Sequence, residues 1–444
     1  MEKYLYDTYL AILKEELLPA FGCTEPIAIA YAAAMAREIL NEIPDQVEII
    51  ASGNIIKNVK SVIVPGTGGK RGICAAAAAG IIAGDSSKKL EVLSQIPEEK
   101  YAEIQDFAEH ANITIDFSDS DLVFDLIIRL SRNGSFSKIR LAGFHTNIVL
   151  LEKDGKILYE KPLPSSVALK DSSEKKELIQ ACENEVTFQE DSQNKELLTV
   201  EQIFHFANEV SLEEIRETIS RQISYNMEIA EEGLRHNYGA NVGQTLLKVY
   251  GDSLYIRARA KAAAASDARM NGCALPVVIN SGSGNQGITV SVPVIEYARS
   301  LHIDEERLYR ALVISNLTAI HQKAGIGSLS AYCGAVSAGS ACGAGIAYLL
   351  GGKLHEIEHT IVNALAITSG IICDGAKASC AAKISSAVDA GLLGYYMILE
   401  NQQFRAGDGI VKKGVERTIS CVSRLGRDGM KETDKEILDI MLNE

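Results

Sequence analysis

Cys333, Cys373 and Cys380 are separated by 40 and 7 residues, and the stretches that carry them are unlike the rest of the chain. Residues 324–352, AGIGSLSAYCGAVSAGSACGAGIAYLLGG, hold no charged side chain and are rich in Gly, Ala and Ser; GIICDGAKASCAAKISSA follows. Small residues let backbones approach closely, as at tight helix crossings or around a bound group. Three thiolates can hold a [4Fe–4S] cube and leave one iron without a protein ligand, free to act as a Lewis acid on a substrate. The spacing matches neither the close-packed ferredoxin run nor a zinc knuckle. Structural cysteines remain the other reading, and Cys342 is a rival third ligand. If 373–380 is helical, a spacing of 7 puts both thiols on one face.

Cys23 lies in PAFGCTEP, ahead of the apolar run IAIAYAAAMAREILNEI. Thr24 or Glu25 can cap the helix that follows, and Pro26 suits its first turn. The positive end of that helix favours a thiolate, which makes Cys23 a candidate base or nucleophile; a packed turn cysteine is the alternative. SGNIIKN and GFHTNI place Asn54, Asn58, His145 and Asn147 on or beside strands, where buried Asn and His need partners. INSGSGNQGI, with Asn285 and Gln286, resembles an anion-cradling loop ahead of a helix. PGTGGKRG looks similar, but position 64 is Val and position 71 is Arg, so neither loop fits the nucleoside-phosphate pattern. A carboxylate is an equally good ligand for such loops.

These residues are set on two kinds of scaffold. Residues 2–18 read as an amphipathic helix, and the run after Cys23 as a buried one. QVEIIAS, VKSVIVPG, ITIDFS, LVFDLIIRLS, KIRLAGFHTNIVLLEK and ILYEK read as strands, the last two divided by an Asp-Gly turn at 154–155. From about residue 200 nearly everything reads as helix. The expected fold class is an α+β N-terminal domain over 1–170, a polar linker or surface segment over 171–200, and an all-α C-terminal domain over 201–444 with buried small-residue helices.

The 444 residues include 47% hydrophobic and 23% charged side chains, with a net charge of −14. That charge argues against nucleic acid and anionic membranes as partners. The N-terminus lacks the basic–apolar–small order of a signal peptide, so the cytoplasm is the expected compartment. Nine cysteines in such a chain point to metal or catalytic thiols rather than a disulfide framework. Gly and Ser interrupt the uncharged run, which argues for a buried helix pair rather than a membrane span.

Taken together, PAFGCTEP, SGNIIKN, VPGTGGKRG, GFHTNI, SGSGNQG and the Cys333/Cys373/Cys380 spacing resemble the L-cysteine desulfidase family, which is related to the iron–sulfur L-serine dehydratases. The resemblance covers nearly the whole chain. CGAVSAGSACGAG looks like the first cluster-ligand segment and CDGAKASC like the second, although dehydratases usually space that last pair wider. The resemblance implies a pyridoxal-independent β-elimination converting L-cysteine to pyruvate, ammonia and sulfide. It implies Cys333, Cys373 and Cys380 as ligands of a [4Fe–4S] cluster, Cys23 as the base, and a substrate held between the two domains. Asn54, Asn58, His145, Asn147, Asn285 and Gln286 are the expected substrate-binding residues. The expected partners are a small amino acid and a second copy of the chain in a homodimer. An L-serine dehydratase on the same scaffold, and a non-catalytic iron–sulfur sensor, are the rival readings.

Overall fold

The computed structural model describes residues 1–120, 122–163, 193–327 and 330–442. Six strands form the sheet of the N-terminal half: β2 (Gln46–Ala51), β3 (Asn112–Phe117), β4 (Asp125–Arg132), β5 (Ser135–Ala142), β6 (Ile148–Lys153) and β7 (Lys156–Glu160). Their spatial order is β3-β2-β4-β5-β6-β7; β2 and β3 are parallel and every other pair is antiparallel. The register sets Val47 opposite Leu130, Ile49 opposite Ile128 and Ala51 opposite Leu126, so alternate side chains build one apolar face. Helix α2 (Thr24–Leu40) lies on that face against β4 and β5, and α4 (Gly72–Ala83) packs on α2. The Asp-Gly turn closes β6 to β7 with both residues at positive φ, as a primed turn requires.

VKSVIVPG forms no strand; it contributes a single bridge, Ile63 to Arg71. Its valines Val62 and Val64 are buried all the same. Packing against neighbours satisfies β-branched side chains here without a ladder, which is why composition overstated the strand. The polar segment expected at 171–200 lies outside the described residues up to 192; Gln193–Leu197 is a short 3₁₀ turn.

The C-terminal half is helical, as the sequence predicts, except for β8 (Pro276–Val278). It pairs antiparallel with β1 (Pro19–Phe21), the residues just before Cys23. Helix α1 (Lys3–Glu16) packs on α11 (Glu305–Ile326), so the chain's start belongs spatially with the helical half. At the centre stands α12 (Gly334–Leu349), uncharged and almost wholly buried. It packs on α10 (Gly284–Ser300), α11, α13 (Leu354–Thr368) and α14 (Cys380–Leu399). A Cβ added at Gly391 of α14 would lie 2.2 Å from the Gly339 carbonyl of α12, and one at Gly339 would lie 2.3 Å from the Ala387 carbonyl. Backbone meets backbone at this crossing, so only hydrogen fits. Among the described residues no helix is long and apolar enough to cross a membrane.

Candidate active site

The sheet half and the helical half meet at a cavity of about 120 Å³. Its wall includes Cys23, Asn54, Asn58, His145, Asn285, Gln286, Cys333, Cys373 and Cys380. Of the residues expected from sequence, Asn147 is not on this wall. Its amide Nδ2 donates to the Ala142 carbonyl at 2.7 Å and closes the β5–β6 turn that presents His145. Cys342 is fully buried within α12, away from the cavity, where burial pushes its thiol far up.

Backbone pairing joins the distant cysteines. Tyr332 and Ile372 form an antiparallel bridge, Cys333 N–H donates to the Ile371 carbonyl at 3.1 Å, and Cys373 N–H donates to the Ala331 carbonyl at 2.6 Å. Residues 40 apart in sequence thus become neighbours. The segment 373–379 is a turn rather than a helix, and Cys380 opens α14. Asp374 holds that turn through Lys377, at 2.5 Å, and Lys383. Gly375, at φ +90°, lets the turn approach α3 (Gly53–Val59): a Cβ there would lie 2.5 Å from the Lys57 carbonyl.

Burial, and then the neighbouring Cys373 charge, push the Cys333 thiol up to about 12. Burial also raises Cys380. Three free thiols gathered on one wall form a donor set suited to a cationic group. Among the described residues no three His, Cys, Asp or Glu side chains converge on a point that would hold a single metal ion. Three cysteine thiols are the donor type that iron–sulfur clusters take.

Four helices of 16–20 residues aim their N-termini at the cavity. Cys23 is the N-cap of α2, Asn285 and Gln286 lie in the first turn of α10, Cys333 is the N-cap of α12, and Cys380 begins α14. The positive ends of their dipoles favour anions here.

The Cys23 thiol is nevertheless held protonated. It donates to Glu25 Oε2 at 3.3 Å, and burial followed by the Glu25 charge pushes it well up, with the Arg269 guanidinium acting in the opposite sense. The dipole-favoured thiolate expected from sequence is outweighed by these two effects. Burial alone would raise the Glu25 carboxyl. The His145 ring, with Nε2 at 3.9 Å, and the Cys23 thiol bring it down to about 2 instead. Thr24 Oγ1 donates to Glu25 Oε2 at 3.0 Å and Asn58 Nδ2 to its Oε1 at 3.1 Å.

Several buried polar atoms of the wall make no hydrogen bond among the described residues: Asn54 Oδ1, His145 Nε2, Arg269 Nε, Asn285 Oδ1 and Gln286 Oε1. Such atoms are costly to leave unmade and mark a place for a polar ligand. Sequence reading missed Arg269, Lys323 and the central role of Glu25. Lys323, on α11, is buried; burial lowers it to about 8 against the opposing pull of Cys373 and Cys333. The signal for both cations was a charge inside a helix otherwise rich in small or apolar residues, AAAASDARM for Arg269 and LTAIHQKAGI for Lys323.

The sequence profile of the serine dehydratase alpha chain matches residues 87–439. The chain belongs to that family. It is a family of dehydratase- and lyase-type enzymes, generally dependent on an iron–sulfur cluster. Full-length relatives carry a less informative name. A UPF0597 protein of Desulfitobacterium hafniense is 54% identical over 99% of this chain and 97% of its own length. UPF0597 proteins of Lachnoclostridium phytofermentans and Treponema denticola are 50% and 45% identical, each over 99% or more of this chain and 100% of its own length. The serine dehydratase match contains Cys333, Cys373, Cys380, Arg269 and Lys323, and lies downstream of Cys23 and Glu25.

Proposed function

We propose that the protein is a [4Fe–4S] lyase that eliminates sulfide from L-cysteine, giving pyruvate and ammonia with uptake of one water. The observation that carries this reading is the convergence of Cys23 with Cys333, Cys373 and Cys380 on one cavity whose remaining wall is polar and partly unpartnered. Cys333, Cys373 and Cys380 would hold the cluster, which when bound supplies an iron without a protein ligand as a Lewis acid. Cys23 takes the proton from Cα. Its thiol is neutral in the resting arrangement, and the Glu25 carboxylate is part of the reason. A substrate ammonium beside Glu25 offsets that negative charge, so binding of the amino acid itself favours release of the thiol proton to solvent, and the thiolate then takes the Cα proton. After Cβ–S cleavage the 2-aminoacrylate tautomerises and hydrolyses without further help from the chain. The family match supports L-serine as the second substrate, with hydroxide in place of sulfide as the leaving group.

The test is the visible spectrum of protein prepared without oxygen and reconstituted with iron and sulfide, before and after L-cysteine or L-serine. A broad iron–sulfur band that shifts with the amino acid is expected, together with turnover. Cys333→Ala, Cys373→Ala and Cys380→Ala should lose band and turnover together, whereas Cys23→Ala keeps the band and loses turnover. A colourless wild-type protein, or a band indifferent to every amino acid, would sink the reading.

A further inference from the structure

The cavity wall holds three buried cationic side chains, and only one of them is neutralised by a carboxylate. Lys57 is 2% exposed and is paired with Asp434. Lys323 lies beside Cys373 and Cys333, two of the proposed cluster ligands. Arg269 is left. It is 2% exposed, forms no ion pair among the described residues, and has its Nε unpartnered. Its charge acts on the thiol of Cys23, which lines the same cavity.

The backbone beneath Arg269 is shaped for it. A Cβ added at Gly284 would lie 2.2 Å from Arg269 Nε and 2.6 Å from Cζ, so the guanidinium rests directly on the first residue of α10. Ser283, with Oγ accepting from Gln286 N–H at 3.4 Å, caps that helix, and Ser281 and Gly282 precede it at positive φ. A planar fork with a free N–H edge and the positive end of a 17-residue helix therefore coincide. Both select a carboxylate, the first by bidentate geometry and the second by field.

The opposite requirement is also met nearby. Asn54 Oδ1, Asn285 Oδ1 and Gln286 Oε1 are unpartnered acceptors, and Glu25 supplies a full negative charge. Unpartnered acceptors, a carboxylate and a lone guanidinium on one cavity wall together complement an ammonium and a carboxylate on a single carbon.

We infer that Arg269, seated on the N-terminus of α10, anchors the α-carboxylate of an amino acid ligand and is the residue that makes the site require that group. This rests on the reading of the cavity as an amino-acid site and adds the residue that sets its ligand class. Such an anchor holds Cα near Cys23 whatever the leaving group, so it discriminates carboxylate from no carboxylate and not cysteine from serine.

The experiment is calorimetric titration of the anaerobically reconstituted holoprotein with L-alanine, which has no leaving group, and with ethylamine, which has no carboxylate. Wild type should bind L-alanine at least about tenfold more tightly than ethylamine, the scale of one charge-assisted hydrogen-bonded pair. Arg269→Gln should weaken L-alanine by about tenfold to a hundredfold, leave ethylamine unchanged, and raise KM for L-cysteine more than it lowers kcat. Gly284→Ala, which displaces the guanidinium without removing it, should do the same, and Arg269→Lys should fall between. If Arg269→Gln does not fold, the other two variants decide. A preference for L-alanine that survives in folded variants overturns the assignment, as does a wild type without the preference. A preference that depends on Arg269 in a protein that eliminates from no amino acid upholds the anchor and removes the lyase.

Discussion

Glu25 is where most of the site's polar chemistry is tied together. One carboxylate receives Cys23, Thr24 and Asn58 and faces His145. Its folded pKa, about 2, lies below the ordinary 4.5, so its contribution to stability is fully present above about pH 4.5 and fades as pH falls toward 2. Glu25→Gln removes that dependence. Its unfolding free energy, measured by denaturant titration at intervals from pH 5 to 3, should follow a flatter curve than wild type. The same substitution removes the negative charge that raises the Cys23 thiol. The pH midpoint for alkylation of Cys23, read from the mass of its peptide, should move down. Glu25 was legible in the sequence only as a candidate cap, because its partners Asn58 and His145 are 33 and 120 positions away. The cysteines stood out by their small-residue surroundings, while their spacing left ligand and structural readings open until the family resemblance chose the set; the structure brings all three to one cavity. Arg269 was marked only as a charge in an alanine-rich run, which gives no periodicity from which its buried face can be read.

At the scale of elements, the small-residue character of α12 and α14 sets the position of the cysteines at their N-termini. The crossing at Gly339, Gly343 and Gly391 is made of backbone atoms, and any added carbon forces the helices apart. Gly391→Ala should cost about 1–3 kcal/mol, the range for overpacking a filled interior, and lower the denaturant midpoint. Gly370→Ala, where an added carbon meets nothing within 4 Å, serves as the matched control and should change the midpoint little. The sequence announced this crossing through composition alone. It did not announce the pairing of β1 with β8, because three-residue strands carry too little pattern to separate from loop. Nor did it separate the buried loop around Val62 and Val64 from a strand, since both bury β-branched residues.

Over the whole molecule, the last described helix returns to the sheet half. α16 (Lys431–Leu442) docks on α3: Asp434 pairs with the buried Lys57, Lys60 donates to the Met441 carbonyl, and the Leu438 side chain occupies the space beside Gly53. Lys57 lines the cavity, so the chain's final turns are part of the site's electrostatics. Asp434→Ala leaves a buried ammonium without its partner, a change that removes about 3–5 kcal/mol in fully buried pairs and less here, where Asp434 is partly exposed. Hydrogen–deuterium exchange should show faster exchange across residues 431–442 in this variant while the central helices α12 and α14 stay protected. Unchanged exchange in 431–442 would mean that Leu438 and the Lys60–Met441 bond hold the helix without the ion pair.

The four helix ends around the cavity have a consequence for mutational robustness. The favourable potential they create is carried by peptide groups, which no codon change alters and no proton neutralises. Side-chain substitutions that add no negative charge therefore leave this part of the site's attraction for anions in place. A lineage that changes its leaving group, or loses a cysteine, keeps a pocket that still draws in carboxylates, and that gives the scaffold a standing base from which a new substrate preference can be selected.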